Sequence, residues 1–293
     1  MNPPKAILAP DPHPVKPHFK PPPNACDAHC HVFGPAAQFA YAPNRSYTPQ
    51  DAGREQLAAL HQYLGFERAV IVQASCHGTD NSAMLDALLH SNSRWRGVAM
   101  VEPHVSEKEL EALHSQGVRG ARINFVAHLG GAPDLSAVRA VIERISPFGW
   151  HIQLHMDAVD IAHYREFLNQ LTVPFIIDHM GRPQAALGIE QPAFQQMLDL
   201  MRNPLAWTKI SGPERVSTMG KPFVDAEPFV RKLLELAPER LLWGTDFPHP
   251  NVKIMPNDGE LVNLFARFCE DASLQKKILV DNPTKLYWPE TIG

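Results

Sequence analysis

Four cysteines in 293 residues, at positions 26, 30, 76 and 269, are too few and too scattered for a disulfide framework. They fit reduced thiols. The N-terminus also lacks a basic-then-apolar signal pattern, so a cytoplasmic location is expected. No apolar run approaches the roughly 20 residues needed to cross a bilayer. Excess charge is missing as well. A net charge of −4 offers no footprint for nucleic acid, so neither nucleic acid nor a membrane is expected as a partner. No glycine-rich turn follows the first candidate strand, which argues against a dinucleotide or P-loop site. What remains, 44% hydrophobic and 20% charged, is the composition of an ordinary globular protein.

Two residue types are abundant instead: 28 prolines and 15 histidines. Nine of the prolines fall in the first 23 residues. Such a stretch cannot form a helix or the interior of a sheet. It is predicted to be an extended arm, with residues 24–293 forming the folded body. There, short apolar runs alternate with stretches of helical periodicity such as Asp51–Leu64, Leu135–Ile145 and Glu227–Leu236. The candidate strands are Ala25–Phe33, Arg68–Ser75, Trp95–Pro103, Gly117–Phe125, Trp150–Met156, Pro174–Gly181, Leu205–Gly212 and Arg240–Pro248. Alternation of strand and helix implies a parallel sheet. Eight such units in about 270 residues is the arithmetic of a single (β/α)8 TIM barrel, an α/β fold. A doubly wound open sheet is the alternative.

Active sites of such barrels form at the C-terminal ends of the strands. The first candidate strand ends in Asp27-Ala28-His29-Cys30-His31. The strand period of two sends His29 and His31 to the same side, the barrel interior. Cys26 and Cys30, of opposite parity, are packing residues. The fifth strand places His155 inward at its end, the sixth ends in Asp178-His179-Met180-Gly181, and the eighth in Thr245-Asp246-Phe247-Pro248-His249. Imidazoles and a carboxylate converging on one mouth are the donors a zinc-like divalent ion takes. The same cluster without a metal could donate hydrogen bonds to a substrate carbonyl, with Asp246 as base. Arg122 and Arg215 also reach this end, with Tyr47, Ser75 and His77 beside them. Two guanidinium forks over one mouth point to an anionic substrate. His128 and Lys209 add positive charge.

The segments Asp27–His31, Gln73–Asn81, Ile177–Pro183 and Trp243–Pro250 resemble the amidohydrolase superfamily. Within it they are most similar to the branch of 2-pyrone-4,6-dicarboxylate lactonases and 4-sulfomuconolactone hydrolases. The resemblance spans about residues 20–290. It implies a TIM barrel that opens a cyclic ester in aromatic-compound catabolism, a carboxylic ester hydrolase. The resemblance also implies Asp246 as general base, His29, His31 and His179 around the scissile carbonyl with His179 as catalytic donor to the developing oxyanion, and Tyr47, Ser75, His77, Arg122 and Arg215 as substrate contacts. His128 and His249 are added to that substrate set. The pyrone lactonases work without a metal and carry Tyr where this chain has His155. Metal-dependent relatives carry His there. A mononuclear site of His29, His31, His155 and Asp246 is therefore expected, with zinc as the first candidate and a metal-free lactonase as the alternative. A further Arg of the pyrone lactonases corresponds here to His128. A metal-dependent decarboxylase of the same superfamily is the competing activity. The expected partner is a small anionic lactone, and self-association into a homo-oligomer is left open.

Overall fold

Strands that are apolar along their whole length must be covered on both faces, and the chain meets this requirement by wrapping them into a ring. A computed structural model describes residues 4–129, 131 and 133–291. Its strands are β1 (Lys5–Ala6), β2 (Cys26–Cys30), β3 (Tyr47–Thr48), β4 (Arg68–Val72), β5 (Trp95–Ala99), β6 (Val118–Asn124), β7 (His151–His155), β8 (Phe175–Ile177), β9 (Ala206–Lys209) and β10 (Leu241–Leu242). Eight of them form one parallel sheet in the order β2-β4-β5-β6-β7-β8-β9-β10, each beside its predecessor in sequence. The first and last are joined by backbone bonds. Ala28 N–H donates to Trp243 O (2.8 Å), His31 N–H to Phe247 O (2.7 Å) and Asp246 N–H to His29 O (2.7 Å). This is the (β/α)8 TIM barrel expected from the alternation of strand and helix.

The closure depends on Gly244. A Cβ there would lie 2.3 Å from the His29 nitrogen, so only glycine lets the end of the chain approach β2 this closely. Amphipathic helices cover the outside. In α4 (Leu135–Ile145) Val138, Val141, Ile142 and Ile145 face the sheet, and Asp134 caps the first turn by accepting from Ser136 N–H. No described helix is long and apolar enough to cross a membrane.

Several candidate strands are cut back, the sixth and the eighth the most. The sixth ends at Ile177 and the eighth at Leu242. The reason is backbone conformation. His179 and Met180 have φ of 52° and 57°, and Asp246 and His249 have φ of 65° and 61°. A left-handed residue cannot continue a ladder, so the chain turns and aims these side chains into the mouth.

Candidate active site

Three imidazoles gather around one carboxylate oxygen. Asp246 Oδ1 lies 3.2 Å from His31 Nε2, 3.5 Å from His29 Nε2 and 3.8 Å from His179 Nε2. All four residues are buried. Val72 O can only accept, so at 2.7 Å it fixes the proton of His31 on Nδ1. If that is the ring's one proton, Nε2 turns a lone pair toward a carboxylate oxygen. Two acceptors at that separation need a cation or a proton between them.

Burial drives His29 down to about 3, with Lys209 adding to the effect, so this imidazole is neutral. Burial also holds His179 well below the ordinary imidazole value. His29 Nε2 has no hydrogen-bond partner, and Asp178 Oδ1 lies 3.4 Å from its Nδ1. That is the acceptor an imidazole needs when it ligates through Nε2. His29, His179 and Asp246 bring ligand atoms within 4.8 Å of one another. Neutral imidazoles and one ionised carboxylate fit a single divalent ion.

His155 stands apart from this group. Arg122 Nη2 lies 3.2 Å from its Nδ1, and a guanidinium can only donate, so the proton of neutral His155 is on Nε2. That nitrogen is buried and unpartnered. His155 therefore carries an N–H on that nitrogen, where a ligand would present a lone pair. The left-handed turn after β8 brings His179 to the cluster in its place. Its Nδ1 is 2.9 Å from Ser211 Oγ.

Asp246 is held by Arg215, whose Nε donates to Oδ2 at 2.9 Å and whose Nη2 contacts the same oxygen. Burial alone would raise the Asp246 carboxyl. Arg215, with His179 behind it, outweighs this and keeps the group well below the usual carboxylate range. Arg122 reaches across the mouth to Gln73 O at 3.0 Å, and its Nε is left without a partner. Beside Arg215 opens a cavity of about 560 Å³, also lined by Arg182, Gln184, Ser217 and Lys253.

The remaining expected residues divide. Tyr47 is buried against Phe33 and in contact with Cys76. Ser75 Oγ accepts from Asn124 Nδ2 at 3.1 Å. His128 is exposed, edge-on to His155 with ring centroids 6.0 Å apart. His77 has both nitrogens in use: Nδ1–H donates to Ala40 O and Nε2 accepts from Gly34 N–H, each at 3.1 Å. It clamps the loop after β2 and leaves no ring nitrogen free for substrate. His249 is buried behind Asp246, with Nε2 3.0 Å from Asp258 Oδ1. Burial would lower this imidazole, but Asp258, Glu214 and Asp246 around it win and raise it above its ordinary value.

Of three further buried groups, only Lys209 has a part in the sequence reading, as added positive charge; Asp178 and Glu214 have none. Lys209 is fully buried, with Nζ 3.1 Å from His29 Nδ1, 2.9 Å from Gln153 Oε1 and 3.6 Å from Asp178 Oδ1. Burial brings its ammonium down to about 8. Asp178 also accepts from Gln153 Nε2 at 3.0 Å. The carboxylate of Glu214 is buried with no hydrogen-bond partner, and burial raises it. A lysine inside an otherwise apolar strand was the available signal for the first of these.

Asp178 resembles Asp246 in its titration. Burial pushes it up, but His29 and Lys209 pull it well below the usual range. Carboxylates depressed in the folded state stabilise it above their unfolded value of about 4 and lose that contribution as pH falls through the folded value. Urea unfolding from about pH 6 to about pH 3 should show stability falling below about pH 4. Asp178→Asn should flatten that slope. An unchanged slope would remove Asp178 from the account.

The amidohydrolase family profile matches residues 26–288, nearly the whole barrel. The chain belongs to the amidohydrolase family. This amidohydrolase is 46% identical to a 2-pyrone-4,6-dicarboxylate hydrolase of Comamonas testosteroni, over 96% of this chain and 95% of that one. It is 41% identical to a 4-sulfomuconolactone hydrolase of Rhizobium radiobacter, over 92% and 91% of the two chains. Among solved structures it resembles a putative 2-pyrone-4,6-dicarboxylic acid hydrolase from Pseudomonas putida. The TM-score is 0.80 at 34% identity, covering 90% of this chain and 97% of that one.

Proposed function

We propose that this amidohydrolase hydrolyses a small anionic lactone of the 2-pyrone-4,6-dicarboxylate or 4-sulfomuconolactone type. The observation that carries the reading is an ionised Asp246 with three imidazoles around one oxygen and two arginines within reach of the same mouth. Similarity to the two hydrolases supports the substrate class.

His29, His31, His179 and Asp246 would hold one divalent ion, zinc being the first candidate from this donor set. When bound, such an ion supplies a Lewis acid for the lactone carbonyl. The chain's own residues do the rest. Asp246 takes a proton from the water whose oxygen bonds to the carbonyl carbon. His155 Nε2–H serves as a donor to the developing oxyanion. The ring C–O bond breaks, and Asp246 returns the proton to the departing oxygen. Arg122 and Arg215 supply positive potential for the substrate's acid groups. Arg215 also keeps Asp246 ionised.

One contact favours a metal-free version. If the Lys209 ammonium donates to His29 Nδ1, the imidazole proton sits on Nε2 and cannot share that position with a metal ion. Elemental analysis beside an assay of both lactones separates the two. The expected result is ring opening of at least one lactone, about one metal per chain, and loss of activity on chelation that is restored by metal. Full activity with negligible metal would establish the metal-free version. Turnover of neither lactone would overturn the substrate reading.

A further inference from the structure

The proline-rich arm is the sequence feature that the reaction leaves unused, yet the structure ties it down along its length. At its start β1 pairs in parallel with β3, Lys5 N–H donating to Ser46 O (3.2 Å) and Ile7 N–H to Thr48 O (3.3 Å). Farther along it crosses the beginning of α9 (Asp258–Phe268). Asn257, only 5% exposed, is the hub of that crossing. Its Nδ2 donates to Asp11 Oδ2 (2.9 Å) and His13 O (3.1 Å), and its Oδ1 accepts from Val15 N–H (3.0 Å). The same Oδ1 caps α9 by accepting from Glu260 N–H at 3.3 Å. Val15 O presses on Gly259 so closely that a Cβ there would lie 1.8 Å away. Asn263 Oδ1 then accepts from His18 N–H (2.7 Å) and Phe19 N–H (3.2 Å).

One anchor leads to a residue expected to contact substrate and the other to the turn that carries Asp246. β3 carries Tyr47. Asn257 precedes Asp258, whose carboxylate holds His249, and His249 N–H donates to Asp246 O at 2.7 Å. Ala9, Pro10, Asp11, Pro12 and Pro14 share a cavity with Phe247, the neighbour of Asp246. Prolines suit such a docked segment because they fix φ and have no N–H to leave unpaired. A stretch with few bonds then loses little freedom on docking.

We propose that the arm is a positioning strap that holds Tyr47 and the Asp246–His249–Asp258 turn in working register, with Asn257 as its positioning residue. The inference rests on the reading of Asp246 as the base and of Tyr47 as a substrate contact. It places the arm inside the working enzyme, where a free proline-rich segment would serve as a ligand for other proteins.

Two full-length variants release the arm without touching the reacting groups. Gly259→Ala puts a methyl where Val15 O now sits, while alanine favours α9 itself. Asn257→Asp keeps the oxygen that caps α9 but removes both donors to the arm and sets a like charge against Asp11. Hydrogen exchange and steady-state kinetics are the readouts. Exchange should accelerate at residues 5–19, 46–48 and 246–258. KM should rise through Tyr47 and kcat should fall through Asp246, lowering kcat/KM by about tenfold or more. Metal content and helix content should stay at wild-type values. A merely structural arm would lower thermal stability and leave kcat and KM unchanged at a permissive temperature. Faster exchange at 5–19 with unchanged exchange at the other two segments overturns the proposal. So does an arm that stays protected in both variants, because the contacts named here would then not be what holds it. If wild type turns over neither lactone, the substrate reading fails, but the exchange result still decides the strap.

Discussion

Asp246→Asn is expected to lower kcat by about a thousandfold, within the range that a positioned general base contributes. The substitution is nearly isosteric. It preserves an oxygen for Arg215 and removes the group that accepts the proton from water. It also removes the anionic donor from the His29, His31 and His179 cluster, so metal content should fall together with kcat. KM should change much less, because the substrate's acid groups are assigned to arginines and not to Asp246. A kcat loss with KM nearly unchanged is the signature of an interaction used in the transition state. Circular dichroism and a thermal scan confirm that the barrel survives. A variant within about tenfold of wild type on the true substrate would show that Asp246 is not the base.

Lys209→Met should have the largest effect on stability. Lys209 and Asp178 are both fully buried, 3.6 Å apart, and Lys209 also bridges to Gln153 and His29. Removing the ammonium leaves an ionised carboxylate in the barrel interior, with His29 and Gln153 as its remaining polar neighbours. Breaking such a pair from one side costs about 3–5 kcal/mol. For a chain of this size each kcal/mol lowers Tm by roughly 2–4 °C, so a loss of about 6 °C or more is expected. The double variant Lys209→Met, Asp178→Asn should recover much of it, because no uncompensated charge then remains. Urea unfolding of the two single variants and the double variant gives the coupling. Additive losses would mean that the pair does not act as a unit.

The eight-strand barrel was legible because its signals are local. Each β-rich run and each amphipathic stretch announces itself within a dozen residues, and Asp27-Ala28-His29-Cys30-His31 sets the inward parity of two histidines unaided. The ends of β8 and β10 were not legible in the same way. The candidate strands run on past Ile177 and Leu242, and only the left-handed conformations at His179 and Asp246 show where the chain turns away. Those two turns decide which imidazole faces the carboxylate. Strand parity points His155 inward and the family resemblance makes it a ligand, whereas the turn after β8 delivers His179.

By itself, then, the sequence determined the barrel, its family and the set of histidines, arginines and the aspartate that crowd its mouth. Tertiary structure decided what each of them can do. Val72 O fixes the His31 tautomer and Arg122 fixes that of His155, across 41 and 33 residues of sequence. Gly34 and Ala40 take both nitrogens of His77. Asn257 and Asn263 fasten an arm some 240 residues upstream of them, which sequence could describe only as extended. The physical reason is the same in each case. Residue type supplies donors, acceptors and charge. Whether a nitrogen presents a proton or a lone pair depends on the atom opposite it, and the fold chooses that atom.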